Sequence, residues 1–136
     1  MPLYICNTTR DALDAAAREK LAIAITDIHC AVTDAPAMFV HVAFFEEAPQ
    51  FPLDDSSLFV VGTIRRGRTD DQKDEIATSI KAALASTAGI DADRAAVLIR
   101  ETPASWVLEG GEIMPEPGEE AAWLAEHGAR RARESS

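Results

Sequence analysis

At 136 residues the chain is long enough to bury one core and too short for two ordinary ones, so a single domain over 1–136 is expected. Hydrophobic residues at 47% and charged residues at 26% lie within the globular range and exclude a disordered, collagenous or coiled-coil protein. A formal net charge of -10 disfavours nucleic acid and anionic membrane as partners, because both are bound by Lys and Arg neutralising phosphates.

The N-terminal stretch MPLYICN places a proline just ahead of a strand over Leu3–Cys6. Proline lacks the backbone N–H a sheet uses and is tolerated only at a strand's first position or edge. That position also has a chemical reading. A methionine followed by a small residue is usually trimmed, and removal of Met1 would leave Pro2 with a free secondary amine.

Asp11 or Asp14 is placed to cap a helix running to about Ala31. Its apolar residues Leu13, Ala17, Leu21, Ala24, Ile25, Ile28 and Val32 recur at three and four, as on a helix lying against a sheet. Met38–Phe45, rich in β-branched and aromatic residues, predicts a second strand ending at Glu46-Glu47. Leu58–Ile64 predicts a third. Thr69-Asp70-Asp71-Gln72 has the form of a capping box and opens a helix to about Thr87, ended by Gly89. Ala95–Arg100 predicts the fourth strand. Past Pro103 the pattern weakens to a short turn or helix at Trp106–Leu108, a reversal at Gly110-Gly111 and a short helix over Glu119–His127. The tail from residue 129 to 136 is expected to be mobile.

Comparison of the two halves at an offset of 55 residues superimposes Leu3 on Leu58, Ile5 on Val60, Leu21 on Ile76, Ile25 on Ile80 and Val42 on Val97. The chain therefore reads as a duplicated β-α-β unit, with half repeats at about 2–46 and 57–101 and a C-terminal extension over 102–136. Each half joins parallel strands by a helical crossover. The expected α/β fold is a four-stranded sheet with two helices on one face. Its other face is left bare while its strands are apolar on both sides, so oligomerisation is expected to cover it.

No run of 18 apolar residues and no basic region followed by an apolar segment is present, so neither a membrane span nor a signal peptide is expected, and the expected location is cytoplasmic. Cys6 and Cys30 lack CxxC spacing and read as small core residues. His29 beside Cys30 has no acidic or histidine partner at i+3 or i+4, so no metal site is expected. His41 alternates with Val40 and Val42 and is read as structural. Trp106 and Trp123 are read as packing residues between subunits, and His127 as solvated.

Four features converge on one end of the sheet: Pro2 at the start of the first strand, His29 near the C-terminus of the first helix, the Arg65-Arg66-Gly67-Arg68 segment after the third strand, and Glu109 in WVLEGGE. Arg65 and Arg68, flanking a glycine, can form a fork that grips a carboxylate with paired hydrogen bonds. A small acidic substrate would fit, with Arg66 directed elsewhere.

The segments PLYICN, AITDIH, FVVGTIRRGR and IRETPASWVLEGGEIMPEPG resemble the tautomerase superfamily, and within it the cis-3-chloroacrylic acid dehalogenase branch. The resemblance implies a catalytic amino-terminal proline at Pro2, substrate-binding arginines at Arg65 and Arg68, a histidine at His29 that binds substrate or assists catalysis, a water-activating glutamate at Glu109, no cofactor and a homotrimer. One position departs: Leu98 stands where that branch carries a tyrosine, and leucine neither donates nor accepts a proton. The expected activity is therefore tautomerisation of small 2-oxo or enol carboxylates with weak hydratase or dehalogenase activity on 3-substituted acrylates. The alternatives are a dehalogenase-hydratase proper and a noncatalytic binder of small carboxylates.

Overall fold

The computed structural model describes residues 2–134, with side chains to residue 128. Met1, whose removal the sequence raises, and residues 135–136 of the C-terminal tail lie outside the described residues. The elements run β1 (Leu3–Thr8), α1 (Ala15–Thr33), β2 (His41–Glu46), β3 (Leu58–Arg65), α2 (Asp70–Ala88), β4 (Ala95–Thr102), β5 (Leu108–Glu109), β6 (Glu112–Ile113) and α3 (Glu120–Glu134). Single 3₁₀ turns at Ala37–Phe39, Ala92–Arg94 and Ala104–Trp106 precede β2, β4 and β5.

The duplication is visible in three dimensions. α1 and α2 are each 19 residues long and β1 pairs parallel with β2 as β3 does with β4. The two units meet where β1 and β3 run antiparallel, Leu3 facing Thr63 and Thr8 facing Leu58, giving the order β2-β1-β3-β4. Local chemistry sets the helix ends. The Asp14 side chain accepts from Ala17 N at 2.8 Å. Thr69 and Gln72 form the predicted capping box, and Gly89 closes α2 at φ 66°, a backbone that favours glycine. Asp14 is the cap of α1; Asp11 lies in a turn before it, at φ 59°.

The main core fills the space between the sheet and the two long helices: Tyr4, Cys6, Leu21, Ile25, Val60, Ile64, Ile76, Ile80 and Leu84 are buried there. Cys30 is only half-buried. The other face of the sheet carries Ile5, Phe45, Val61 and Leu98, with Phe45 and Leu98 42% and 49% exposed.

The departures from the sequence reading cluster where the C-terminal segment returns over the end of the sheet. The predicted strand from Met38 begins instead at His41, because Ala37–Phe39 turn after Pro36 and sink Phe39 into a second apolar cluster with Val107, Met114 and Trp123. Trp123 therefore packs within the chain, edge-on to Phe39, and donates its indole N–H to Ile113 O. Trp106 is 74% exposed. His127, read as solvated, is half-buried and stacks on Trp123 with ring centroids 4.6 Å apart. The last helix is also longer than the expected Glu119–His127, running to Glu134.

Candidate active site

Pro2 immediately precedes β1 and is buried. Its carbonyl accepts from the backbone N–H of His41 at 3.0 Å. This contact ties the residue just ahead of β1, an inner strand of the sheet, to the first residue of β2.

Arg65 is the last residue of β3, and a turn through Gly67, at φ 119°, carries the chain to Arg68 and the cap of α2. A Cβ on Gly67 would meet the Pro117 ring at 3.3 Å. The two guanidinium groups converge on one carboxylate oxygen, which belongs to the chain itself. Glu120 Oε1 accepts from Arg65 Nη2 at 2.9 Å and from Arg68 Nη2 at 3.0 Å. Its other oxygen accepts from Gly118 N at 2.8 Å. Arg65 Nη1 donates to Pro115 O and Arg68 Nη1 to Thr33 O. Arg65 and Glu120 are only 3% and 6% exposed. Burial raises Glu120's carboxyl, but hydrogen bonds and the two arginines outweigh it and hold the pKa below the carboxylate range.

His29 lies one turn before the end of α1 and is 1% exposed. Its Nδ1 sits 2.7 Å from the Tyr4 hydroxyl, and the two rings meet edge to face. Burial first, and then the charges of Arg68 and Arg65, lower its pKa to about 4, so the imidazole is neutral at pH 7. The Tyr4 phenol, pushed upward by burial, keeps its proton, and which of the two groups donates follows from the imidazole tautomer. The other ring nitrogen, Nε2, is buried and makes no hydrogen bond among the described residues. Tyr4 owes its place to Gly62, where a Cβ would come within 2.5 Å of the Tyr4 ring.

Glu109 ends the short strand β5, turned back toward β6 by Gly110 and Gly111 at φ 60° and 82°. Its Oε1 lies 2.8 Å from His41 Nε2. Burial raises its carboxyl, but hydrogen bonds and positive charge, His41 among their sources, outweigh burial and hold the pKa below the ordinary range. Arg65 feels the Glu109 charge, which links the glutamate to the arginine cluster. His41, Glu109, Leu3, Thr63, Thr102 and Trp106 line an open hollow of about 370 Å³.

The structure thus brings His29, Arg65 and Arg68 into one electrostatic neighbourhood, with Glu109 at its edge. Two pairings differ from the sequence reading. The imidazole beside Glu109 is His41, whereas His29 pairs with Tyr4. The carboxylate held by the arginine fork is Glu120. His41, read as structural, instead meets Glu109, because strand alternation sets it on the face of Leu3 and Thr63, with which it shares a register. Tyr4 and Glu120 carried no local signal. Leu98 faces the open side, in register with Val61, two strands away from β1. Among the described residues no cluster of three His, Cys, Asp or Glu side chains converges to hold a metal ion, and no helix is long and apolar enough to cross a membrane.

Residues 1–128 match the family model described as "Putative oxalocrotonate tautomerase enzyme". The chain belongs to the tautomerase superfamily. Within it, the chain is similar to N1, a member of the cis-3-chloroacrylic acid dehalogenase family, at 27% identity and TM-score 0.80 over 91% of each chain. The native protein Ps01740 is 34% identical with TM-score 0.71, covering 79% of this chain and 100% of its own. A fused 4-OT solved as a symmetric trimer shares the fold at 19% identity and TM-score 0.71, over 83% of this chain and 95% of that one. Among curated proteins no sequence match is found. Relatives in this superfamily are enzymes, and the cis-3-chloroacrylic acid dehalogenase-like branch is the one this tautomerase-family chain fits.

Proposed function

We propose that the chain is a cofactor-free enzyme of small carboxylates, in which a mature amino-terminal Pro2 tautomerises 2-oxo and enol acids and more weakly hydrates 3-substituted acrylates. The observation that carries this reading is the Arg65–Arg68 fork, whose two guanidiniums converge on one carboxylate oxygen, here that of Glu120, beside a buried neutral His29 and within electrostatic reach of Glu109.

In the first reaction the neutral Pro2 amine removes the enol proton of the substrate, and the resulting ammonium returns a proton to carbon to give the ketone. Arg65 and Arg68 hold the substrate carboxylate, which takes the place of the Glu120 oxygen between them. His29, neutral and in the tautomer with its proton on Nε2, donates a hydrogen bond to the substrate; with a pKa of about 4 it does not serve as an acid at pH 7.

In the second reaction the ammonium form of Pro2 acts first. Glu109 takes a proton from water as the oxygen adds to the carbon β to the carboxylate, and Pro2 delivers its proton to the α carbon. A halide on the β carbon then leaves from the resulting halohydrin as the carbonyl forms, with loss of the hydroxyl proton. The ionised state of Glu109 at neutral pH suits a general base. Leu98 supplies no hydroxyl to assist, which is why hydration is assigned the lesser rate. A homotrimer would cover the open sheet face, and a fused 4-OT of the same fold is solved as a symmetric trimer; the reaction is assigned to the cytoplasm.

The test is a Pro2→Ala comparison on phenylenolpyruvate and a 3-haloacrylate, after intact mass has verified loss of Met1. The reading requires both turnovers to fall at least about 100-fold, the low end of positioned acid–base catalysis. Unchanged turnover by the alanine variant, or a mature chain retaining Met1, would remove Pro2 from the chemistry.

A further inference from the structure

We propose that His41 is a positioning residue for the hydration mode, holding Glu109 in the plane from which it deprotonates water. This deepens the assignment of Glu109 made above and rests on it.

Three observations converge on His41. Its side-chain Nε2 lies 2.8 Å from Glu109 Oε1. Its backbone N–H donates to Pro2 O at 3.0 Å. It also shares the 370 Å³ hollow with Glu109. One residue at the start of β2 therefore touches both the residue that would supply the proton and the carboxylate that would remove one.

The local structure explains why Glu109 needs such a tether. β5 is two residues long, Leu108–Glu109, and is followed by two glycines at positive φ. A glutamate has three rotatable side-chain bonds, so on so short a strand its orientation depends on the contacts its carboxylate makes. A hydrogen bond to Oε1 restricts the rotation of the carboxylate and so the directions open to Oε2. His41 is itself held by the regular pairing of β2 with β1, Leu3 opposite His41, so the tether is anchored in the rigid part of the fold. This is the arrangement in which a supporting hydrogen bond sets the geometry of a reactive group.

The tautomerase reaction draws on Pro2 and the arginine fork and makes no use of Glu109, so loss of the imidazole should separate the two activities. His41→Phe retains ring bulk and the backbone bond to Pro2 but lacks a donor; His41→Gln restores an N–H that can reach a carboxylate. With thermal unfolding recorded for both, kcat and KM are measured on a 3-haloacrylate and on phenylenolpyruvate. The expected result for His41→Phe is a kcat on the haloacrylate lowered about 10-fold or more with KM little changed, and a fall on phenylenolpyruvate several-fold smaller. His41→Gln should recover most of the loss.

Equal losses on both substrates, no loss on the haloacrylate, or a Gln variant no better than Phe would overturn the proposal. Wild-type inactivity on both substrates would instead count against the proposed function. The tether is then decided by carbon NMR of the Glu109 carboxyl, which Arg65 also influences. Its titration midpoint should rise in His41→Phe and return toward wild type in His41→Gln; an unmoved midpoint overturns it.

Discussion

Glu120 and Arg65 form a buried ion pair, Oε1 to Nη2 at 2.9 Å, with side chains 8% and 2% exposed, and Arg68 binds the same oxygen at 3.0 Å. The fork is therefore built around an internal carboxylate. Two guanidiniums of like charge are held side by side because a third group balances them, and the cluster carries one net positive charge before any substrate arrives.

Removing that carboxylate leaves two buried cations facing each other. Glu120→Ala is expected to destabilise the protein by about 3–5 kcal/mol, the usual cost of leaving a buried charge uncompensated. Formate, which can occupy the vacated site, should raise the thermal midpoint of the variant more than that of the wild type. Equal responses to formate would mean that the arginines do not need a carboxylate at that position.

Stability should also report the burial of His29. Its pKa is lowered from the ordinary 6.5 to about 4, so the unfolded chain takes up a proton that the folded chain refuses. The stabilisation from this residue is complete above about pH 6.5 and is lost as pH falls toward 4, up to about 3 kcal/mol. Glu120, held below the carboxylate range, contributes above its unfolded pKa and loses that contribution at still lower pH. Urea unfolding of wild type and His29→Gln between pH 7.5 and 4 separates them: the variant should show the shallower slope. Parallel curves would contradict a neutral buried imidazole.

Gly62 and Tyr4 set up a steric test of the same histidine. A Cβ at Gly62 would lie 2.5 Å from Tyr4 Cε1 and 2.9 Å from Ile99 Cδ1. Gly62→Ala is expected to cost about 1–3 kcal/mol by overpacking and to displace the phenol from His29. Denaturant titration gives the cost, and imidazole nitrogen shifts show the displacement. A variant as stable as wild type, with unchanged shifts, would show that the ring has room to spare.

Leu98 offers a gain-of-function test. It is 49% exposed on the open face of the single chain, the face that the proposed homotrimer would cover, so the assembly of Leu98→Tyr is compared with that of wild type by sedimentation before its turnover is read. On the proposed mechanism it should raise 3-haloacrylate turnover relative to phenylenolpyruvate turnover. An unchanged ratio would mean that the leucine does not limit hydration.

Much of the architecture follows from rules that act over a few residues. Capping by Thr69 and Gln72, the left-handed stop at Gly89 and the three-four spacing along α1 were legible in sequence. So was the 55-residue offset that makes β1-α1-β2 and β3-α2-β4 copies of one unit. Arg65 and Arg68 were visible as a fork because they stand three residues apart across a turn. The helix boundary at Ala15 and the strand boundary at His41 were less so, since Asp11 and Asp14 both resemble caps and Phe39 is as apolar as the strand beside it.

By itself, then, the chain's order of residues determined two repeated units and an arginine pair suited to a carboxylate, because caps, periodicity and turns depend on neighbours. Only the tertiary structure decided what meets that pair and what meets Glu109. Glu120 lies 55 positions from Arg65 and Glu109 lies 68 from His41. Their contacts come from Phe39, Met114 and Trp123 burying together, which draws the C-terminal segment back over the sheet's end. Apolar packing has no sequence range, and the polar partners it imposes could not be read from neighbours.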